Sequence, residues 1–341
     1  MRRLLLVFLV ATACGGKQKS TTPPPPLPEE SKAQEKPAEP PKQAEKAPEE
    51  PPLPKGPVDV PVPSGTVTVK LIKAGSGKKV PLKLAPKAGD KQAIELAVDF
   101  SGKQTMPPEL GGQTESQVNP TVIFNADVEA KEVGADGATK FEMTIKGVDA
   151  KDVAGAKNTG EEVKKEFGSL AGWTVLGAVN PNGSTSDLTI HIEKPDRATQ
   201  SGLEILGISL MPIWPVFPTE PIGPGAKWTV TRTSKLMGKL DVTNTTDYEL
   251  VSKKGKVWTL KGTTKVTGTD QEFGDEGKKA KFGGIAGTGS TEATYNDGAL
   301  LPTAKHSTKT DFTATVDAPE APSKTIALVF HLEQTNAVTP K

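Results

Sequence analysis

The only cysteine of the chain, Cys14, is the residue whose type and position point most directly to chemistry. It follows two arginines, an apolar run from Leu4 to Val10, and the small residues Ala11-Thr12-Ala13. A basic end, a short apolar centre and an A-x-A site are the layout of a secretory signal. The apolar run is too short to span a bilayer as a helix. The sequence therefore predicts a signal peptide over residues 1–13 and export of the rest.

The fate of Cys14 depends on which peptidase cleaves this signal, and two readings stay open. Ordinary signal peptidase would leave an odd free thiol outside the cytoplasm, which is disfavoured. The stretch Ala11-Thr12-Ala13-Cys14 resembles the lipobox of bacterial lipoproteins, although Ala11 stands where leucine is usual. The resemblance implies acyl chains on Cys14, and two or more such chains hold a protein on a membrane. Gly15, where an aspartate would imply inner-membrane retention, favours the outer membrane.

Residues suited to catalysis or metal binding do not converge in any short stretch. His191 and His331 each lie between apolar residues of an alternating run, so both should face away from the core. His306 lies in a threonine-rich stretch, and the three histidines do not have the spacing of an H-E-x-x-H motif. No G-x-S-x-G elbow is present, and the glycines around Gly287 lack the lysine of a phosphate-binding loop. We expect solvated histidines, no catalytic residues, no metal site and no cofactor.

Composition limits the classes of partner. The 341 residues carry a net charge of +1, so no bulk electrostatic field favours nucleic acid. Hydrophobic residues make up 35%, a low share that averages a polar segment with a folded part. With Cys14 used as an anchor, no disulfide can form within the mature chain. The fold must then be stabilised by burial alone.

A polar segment follows Cys14 and is predicted to be a disordered tether over residues 14–65. It is rich in Pro, Glu, Lys and Ala, contains Pro23-Pro24-Pro25-Pro26, and has few large apolar residues. Such a composition does not bury enough surface to fold, and proline biases it towards an extended spacer. We expect a passive stalk that lifts a β-rich globular domain, residues 66–341, off the membrane.

After Gly65 apolar residues alternate with polar ones, which is the period of strands with one buried face. The clearest runs are 94–100, 122–128, 141–145, 240–250, 258–266 and 326–332. Asp136-Gly137, Asn182-Gly183, Lys254-Gly255 and Asp297-Gly298 lie between such runs and predict turns. The glycine- and lysine-rich stretch from Phe273 to Gly289 is predicted to be a mobile loop.

Two helices interrupt the strands. Val163 and Phe167 lie one turn apart on one helical face, and Thr159 precedes them as an N-cap. A second helix opens at Pro195 and carries three leucines between residues 203 and 210. Long hairpins with two short helices predict a mainly β fold, a large curved antiparallel sheet or open half-barrel covered by the helices.

The stretch from Leu203 to Phe217 is the most apolar part of the chain after the signal. One interpretation is a core helix followed by a buried, proline-containing loop that caps one end of the sheet. The other is a lid over an apolar cavity, in which Met211, Trp214 and Phe217 contact a ligand, because Met and aromatic side chains adapt to irregular apolar shapes.

The stretch from Pro218 to Arg232 reads P-T-E-P-I-G-P-G-A-K-W-T-V-T-R. It resembles a signature of an uncharacterised family of bacterial surface proteins and lipoproteins, in which a proline-containing loop and a glycine pair precede a tryptophan that begins a long strand. The matching positions are Pro221, Gly223, Gly225 and Trp228. The family implies no established activity. By architecture alone, the predicted shape is also similar to the open half-barrels of lipoprotein carriers.

Together these features predict a non-enzymatic outer-membrane lipoprotein that displays a binding domain for a lipid-like ligand or an envelope protein. An alternative is a structural component of the envelope that pairs with a partner through its sheet edges. A third is a hydrolase whose site is assembled from distant residues. A cavity would distinguish a binding protein from a scaffold.

Overall fold

The computed structural model describes residues 56–63, 65–108, 111–210, 213–274, 279–318 and 321–341, without the side chains of 318 and 321–324. The predicted signal, Cys14 and most of the predicted tether lie outside these residues, as does Met211.

Within the described ranges the chain forms fifteen strands and two α-helices. The strands are β1 Val58–Pro61, β2 Val67–Lys73, β3 Lys91–Thr105, β4 Thr114–Val118, β5 Thr121–Val133, β6 Thr139–Lys151, β7 Thr174–Val179, β8 Thr185–Ile192, β9 Lys227–Leu236, β10 Leu240–Lys254, β11 Val257–Thr267, β12 Gln271–Phe273, β13 Ala280–Asn296, β14 Thr303–Ala318 and β15 Ala321–Pro340. The helices are α1 Gly160–Phe167, which continues as one 3₁₀ turn to Leu170, and α2 Thr199–Leu210.

All the strands belong to one antiparallel sheet. Its order is β1-β8-β7-β6-β5-β3-β15-β14-β13-β11-β10-β9-β2, with β4 paired to β3 and β12 paired to β13. Most neighbours are hairpins that follow one another in the chain. The exceptions are β15, which returns to pair with β3, and the two edge strands β1 and β2. In addition, β4 and β12 intervene in the chain between the paired strands β3 and β5 and between β11 and β13, and α1 connects β6 to β7. The predicted mainly β fold with a large antiparallel sheet and two short helices is confirmed.

The sheet curls so that its two edges approach each other without pairing. β1 and β2 are the end strands of the sheet, yet they follow each other in sequence. The Val62 amide donates to the Leu188 carbonyl of β8, and the Thr233 amide of β9 donates to the Thr66 carbonyl. The four residue steps from Val62 to Thr66 span at most about 14 Å. The sheet is therefore an open barrel, and we call the gap between β1 and β2 the seam.

Helix α1 is defined by a capping box and one buried face. The Thr159 side chain accepts from the Glu162 amide, and the Glu162 carboxylate accepts from the Thr159 amide. This arrangement satisfies two backbone donors that a helix start otherwise leaves unpaired. Val163 and Phe167 are buried, as the helical spacing predicts.

Helix α2 lies inside the curve of the sheet. A Cβ atom at Gly202 would come within 2.9 Å of the side chains of Leu170 and Trp173, so the helix packs tightly on the α1 side. Ile205, Leu206 and Leu210 are buried there too. The opposite face of α2 points into the barrel.

The proline-containing segment after α2 is buried in the barrel interior. Trp214 Nε1 donates to the Leu300 carbonyl at 3.2 Å, and Trp228 Nε1 donates to the Val216 carbonyl at 2.8 Å. The Phe217 ring lies edge-on to the rings of Trp258 and Tyr295. Of the two interpretations of the stretch from Leu203 to Phe217, a core helix followed by a buried loop fits the described residues after α2.

Two stretches differ from the sequence-based expectations. The sheet begins before residue 65, because β1 lies in the predicted tether and pairs with β8, burying part of its valine face. The predicted loop from Phe273 to Gly289 is wrong over Ala280–Gly289, which is the first half of β13. Glycine lowers strand propensity, but this half of β13 pairs with β14 on one side and with β12 and then β11 on the other, so pairing outweighs propensity.

Candidate ligand-binding cavity

A cavity of about 430 Å³ lies between α2 and the interior face of the sheet. One wall is a single face of α2, with Gln200, Leu203, Glu204, Gly207 and Ile208 at the i, i+3, i+4, i+7 and i+8 positions. The seam contributes residues 60–63, and β9, β10, β11, β14 and β15 form the facing wall.

Along these strands the interior face changes from apolar to polar and back to apolar. One apolar cluster, around Trp214 and Phe217, includes Trp228, Leu250 and Leu260. A second apolar cluster lies at the other end of the same strands and includes Val242, Val266 and Phe312. Between them is a row of polar side chains, which we call the polar belt: Arg232, Asn244, Thr246, Tyr248, Thr264, Thr291, His306, Thr308, Thr310, Gln334 and Asn336.

The strand register explains why these residues form one belt. Thr246 lies opposite Thr264 and their hydroxyls are 2.9 Å apart, while His306 lies opposite both Thr291 and Asn336 on the neighbouring strands. Gly262, on the same face, leaves room for the Tyr248 ring, since a Cβ atom there would be 3.0 Å from that ring. Because interior residues recur at every second position, a few consecutive polar interior residues in each strand are enough to build the belt.

Tyr248 is held in place from two sides. Its ring stacks on Trp228 with the centroids 5.5 Å apart, and its hydroxyl is hydrogen-bonded to Thr291. Burial raises the pKa of the Tyr248 phenol, against a smaller opposing effect of the Arg232 charge. The phenol is therefore neutral at pH 7 and can donate a hydrogen bond.

Arg232 brings a positive charge into the barrel interior. Burial lowers the pKa of the guanidinium, but an arginine stays protonated in proteins. The charge of Arg232 contributes to the pKa shifts of both Tyr248 on β10 and His306 on β14. β10, β11 and β13 separate β9 from β14 in the sheet, and both Arg232 and His306 line the cavity.

His306 is neutral at physiological pH. Burial lowers its pKa to about 4, with a further contribution from the Arg232 charge, and its Nδ1 atom is hydrogen-bonded to Thr291 Oγ1 at 2.8 Å. A hydroxyl beside an imidazole can serve nucleophilic catalysis. Here Thr291 is only 3% exposed, and an imidazole with this pKa is a weak base. The pair is better suited to hydrogen bonding than to proton abstraction.

Asn336 carries a buried amide nitrogen without a hydrogen-bond partner in the described structure. The side chain is 4% exposed and lines the cavity. Gln334 Nε2 donates to the Ile208 carbonyl at 3.4 Å and to Asn336 Oδ1 at 3.2 Å. Because a carbonyl only accepts, this chain of bonds fixes both amides and leaves Asn336 Nδ2 as a spare donor. A buried unpaired donor costs about 1–3 kcal/mol.

The rim of the cavity carries one cationic and one anionic side chain, Lys235 and Glu204, and each interacts with a polar neighbour. Lys235 Nζ lies 2.6 Å from Asp241 Oδ1, and Gln200 Nε2 donates to Glu204 Oε1 at 2.8 Å. Met237 and Gly238 form the tip of the β9–β10 hairpin, both with positive φ, and they line the cavity too. The hairpin tip therefore gives the cavity rim an apolar edge next to the charged side chain of Lys235.

The ligand contacts predicted from sequence lie in different places. Trp214 lines the cavity but is only 3% exposed, and its contact with a ligand stays a prediction. Phe217 is fully buried against Trp258 and Tyr295 and is not part of the cavity wall. Met211 lies outside the described residues.

Two of the three histidines face outward, as predicted. His191 is hydrogen-bonded to Asp59 at 2.7 Å, and His331 to Asp311 at 2.6 Å and Glu333 at 3.0 Å. These carboxylates raise the pKa of both histidines. The expectation for His306 is wrong, because that side chain faces the cavity.

The sequence carried a signal for this orientation. His306 has the same parity as Phe312 and Ala314, which are the interior residues of β14. The positions of Arg232 and Asn336 follow in the same way from Val230 and Val338. The alternation therefore places these polar residues inside, although it does not show that they meet.

No protein-family model matches this sequence, and a search of curated proteins finds no similar chain. The family resemblance of the Pro218–Arg232 stretch is therefore untested. Within the described part of the chain, neither helix has the length and apolar character needed to cross a bilayer. The same residues contain no group of three or more His, Cys, Asp or Glu side chains placed to hold a metal ion.

Proposed function

We propose that the chain is an envelope lipoprotein, anchored to the outer membrane through Cys14, whose β domain binds a lipid-like small molecule in the cavity. The observation that carries the binding proposal is the cavity of about 430 Å³ with two chemically different walls. Leu203, Ile208 and the valines of the seam give apolar contacts, and the polar belt gives hydrogen bonds. The volume lies within the range typical of small-molecule sites, about 300–1,000 Å³.

The anchor is supported by the position of Cys14 after the predicted signal. Acylation should add the mass of two or three fatty acyl chains to the membrane-extracted protein. Cys14→Ser should move the protein from the membrane pellet to the soluble fraction. A serine variant that sediments with membranes as the wild type does would show that this anchor is wrong.

Binding can be tested on the full mature chain, expressed from residue 14 with Cys14→Ser so that it stays in solution. The probe is a neutral naphthylamine dye whose fluorescence rises in apolar surroundings. Gly207 is the position to vary, because it lies on the cavity face of α2 and a Cβ atom there would meet no atom within 4 Å. Gly207→Phe therefore fills cavity space, and Gly207→Ala is the matched control.

We expect the wild type and Gly207→Ala to enhance the dye fluorescence, and Gly207→Phe to lose most of this enhancement. Circular dichroism and thermal melting should show that all three proteins are folded, since alanine stabilises a helix interior by up to about 1 kcal/mol over glycine. Equal dye binding by Gly207→Phe, or none by the wild type, would contradict the proposal.

The alternative role, pairing with a partner strand through a sheet edge, has weaker support. The outer edge of β2 lies at the seam, where the described structure pairs it with no strand, and Ile72 is 59% exposed there. However, β2 also carries Lys70 and Lys73, and β1 ends in Pro61, and these residue types oppose edge pairing. The cavity is therefore the better supported site.

A further inference from the structure

Buried polar side chains such as those of the polar belt reduce the stability of a protein interior, and the location of the belt on the cavity wall suggests a ligand. It lies between two apolar clusters, on strands whose other interior residues are apolar. Polar groups in such a position destabilise a fold unless they are hydrogen-bonded. Most members of the belt pair with each other, as Thr246 does with Thr264. Asn336 Nδ2 is buried without a partner among the described residues, and because Asn336 lines the cavity, a ligand that displaces this side chain slightly can use the donor.

The electrostatics of the belt favour an anionic acceptor. Arg232 is cationic, while Tyr248 and His306 are neutral at pH 7 because burial moves their pKa values away from neutrality. The acidic residue among the described cavity-lining side chains is Glu204, which lies on the α2 wall and accepts from Gln200. Among the described residues that line the cavity, the sheet wall therefore carries more positive than negative charge, which favours an anionic headgroup over a cationic one.

The positive charge and the spare donor converge on one part of the wall. Arg232 acts electrostatically on His306 from across the curve, and His306 is the register partner of Asn336. Directly opposed residues of neighbouring antiparallel strands lie about 5 Å apart. Arg232, His306 and Asn336 all line the same cavity, so an oxyanion bound there can lie beside the belt to which all three belong.

The remaining wall fits an alkyl chain. Leu203 and Ile208 on α2 face Val230, Val242 and Val266 of the sheet across the cavity. A water molecule in the liquid occupies about 30 Å³, so 430 Å³ corresponds to a ligand on the order of 14 non-hydrogen atoms. This is the size of a medium-length single-chain amphiphile.

We propose that the cavity binds a single-chain amphiphile with an anionic oxygen headgroup, held at the polar belt by Arg232 and Asn336, with its alkyl chain against α2. The inference rests on the proposed function and adds the chemical class of the ligand. Fatty acids and alkyl phosphates share this chemistry, and the experiment separates them.

The test compares ligands that differ only in the headgroup, by calorimetry below their micellar concentrations. The full mature Cys14→Ser chain is titrated with dodecanoate, dodecyl phosphate, dodecanol and dodecyltrimethylammonium. We expect an anionic ligand to bind about 10- to 100-fold more tightly than dodecanol, the effect of a hydrogen bond to a charged group. The trimethylammonium compound should bind most weakly. The tighter of the two anions identifies the headgroup.

Two variants test the residues. Arg232→Met keeps a long side chain and removes the charge, and Asn336→Leu keeps the shape and removes the donor. Each should weaken anion binding about tenfold or more and leave dodecanol binding within a few-fold. Circular dichroism identifies a variant that fails to fold. If a variant does not fold, the comparison of the four ligands on the wild-type belt still tests the headgroup preference.

The possible failures are distinguishable. If dodecanol or the cationic ligand binds as tightly as both anions, the headgroup assignment is overturned while the cavity function stands. If folded variants keep the wild-type preference for anions, the assignment to Arg232 and Asn336 is overturned. If none of the four ligands binds and the dye does not either, the proposed function itself fails.

Discussion

The burial of His306 predicts a specific loss of stability in mild acid. Its pKa is lowered to about 4 in the folded protein, against about 6.5 in the unfolded chain. Above pH 6.5 neither state binds the proton. Between pH 6.5 and 4 the unfolded state binds it and the folded state does not, so the free energy of unfolding falls as the pH falls.

The size of the effect follows from the two pKa values. Between pH 7 and pH 5 the calculated loss is about 2 kcal/mol, at 1.36 kcal/mol for each unit of pKa difference. His306 is partly open to the cavity, and water there reduces the loss to about 1–2 kcal/mol. The groups facing it are Arg232, Tyr248, Thr291 and Asn336, of which only Arg232 is charged in this pH range.

The assay is urea unfolding of the wild type and His306→Gln at pH 7 and pH 5. Glutamine keeps a hydrogen-bonding group near Thr291 and does not titrate. The other groups contribute to both proteins, including His191 and His331, whose raised pKa values add stability that is present in acid and lost as the pH rises. The wild type should therefore lose about 1–2 kcal/mol more than the variant between the two pH values. Equal losses would refute the assignment of a buried, neutral imidazole.

Two further predictions concern the stability of the fold. Thr159→Ala should lower the free energy of unfolding by about 1 kcal/mol, because it removes the reciprocal cap of α1, and Thr159→Ser is the control that restores the hydroxyl. Phe217→Ala should lower it by about 3–5 kcal/mol, since the ring is fully buried against Trp258 and Tyr295. Urea midpoints measure both, and a loss below 1 kcal/mol for Phe217→Ala would contradict its role in the core.

The sequence predicts strands with a clear local pattern better than it predicts strands that depend on pairing partners distant in the chain. Period-two alternation and the Asp136-Gly137 and Asn182-Gly183 turns locate β5 to β8, because burial on one face and turn chemistry are local properties. The first half of β13 was missed because its glycines weaken the local signal, and its strand conformation depends on two neighbours distant in sequence. β1 was missed for a related reason. Its prolines are typical of the tether, and its strand conformation depends on pairing with β8, which is distant in sequence.

The candidate site was harder to predict, since it depends on closure of the sheet. Parity alone places Arg232 and His306 on the interior face. That both of them line one cavity depends on the curvature of the whole sheet, which is not a local property of the sequence. Sequence analysis therefore selected Trp214 and Phe217 by hydrophobicity, whereas the side chains best suited to orient a ligand are polar.

The seam connects the fold to the cavity in a way that bears on the proposed anchor. Val60 and Val62 line the cavity, and they belong to the first described strand and its continuation. The described part of the chain therefore begins next to the cavity wall. Because β1 is a short edge strand that pairs with β8 alone among the described strands, ligand binding against Val60 and Val62 would add contacts to a weakly held strand. Amide hydrogen exchange of β1 should then slow when dodecanoate is added, while exchange in β5 and β6 stays unchanged, since these strands are paired on both sides.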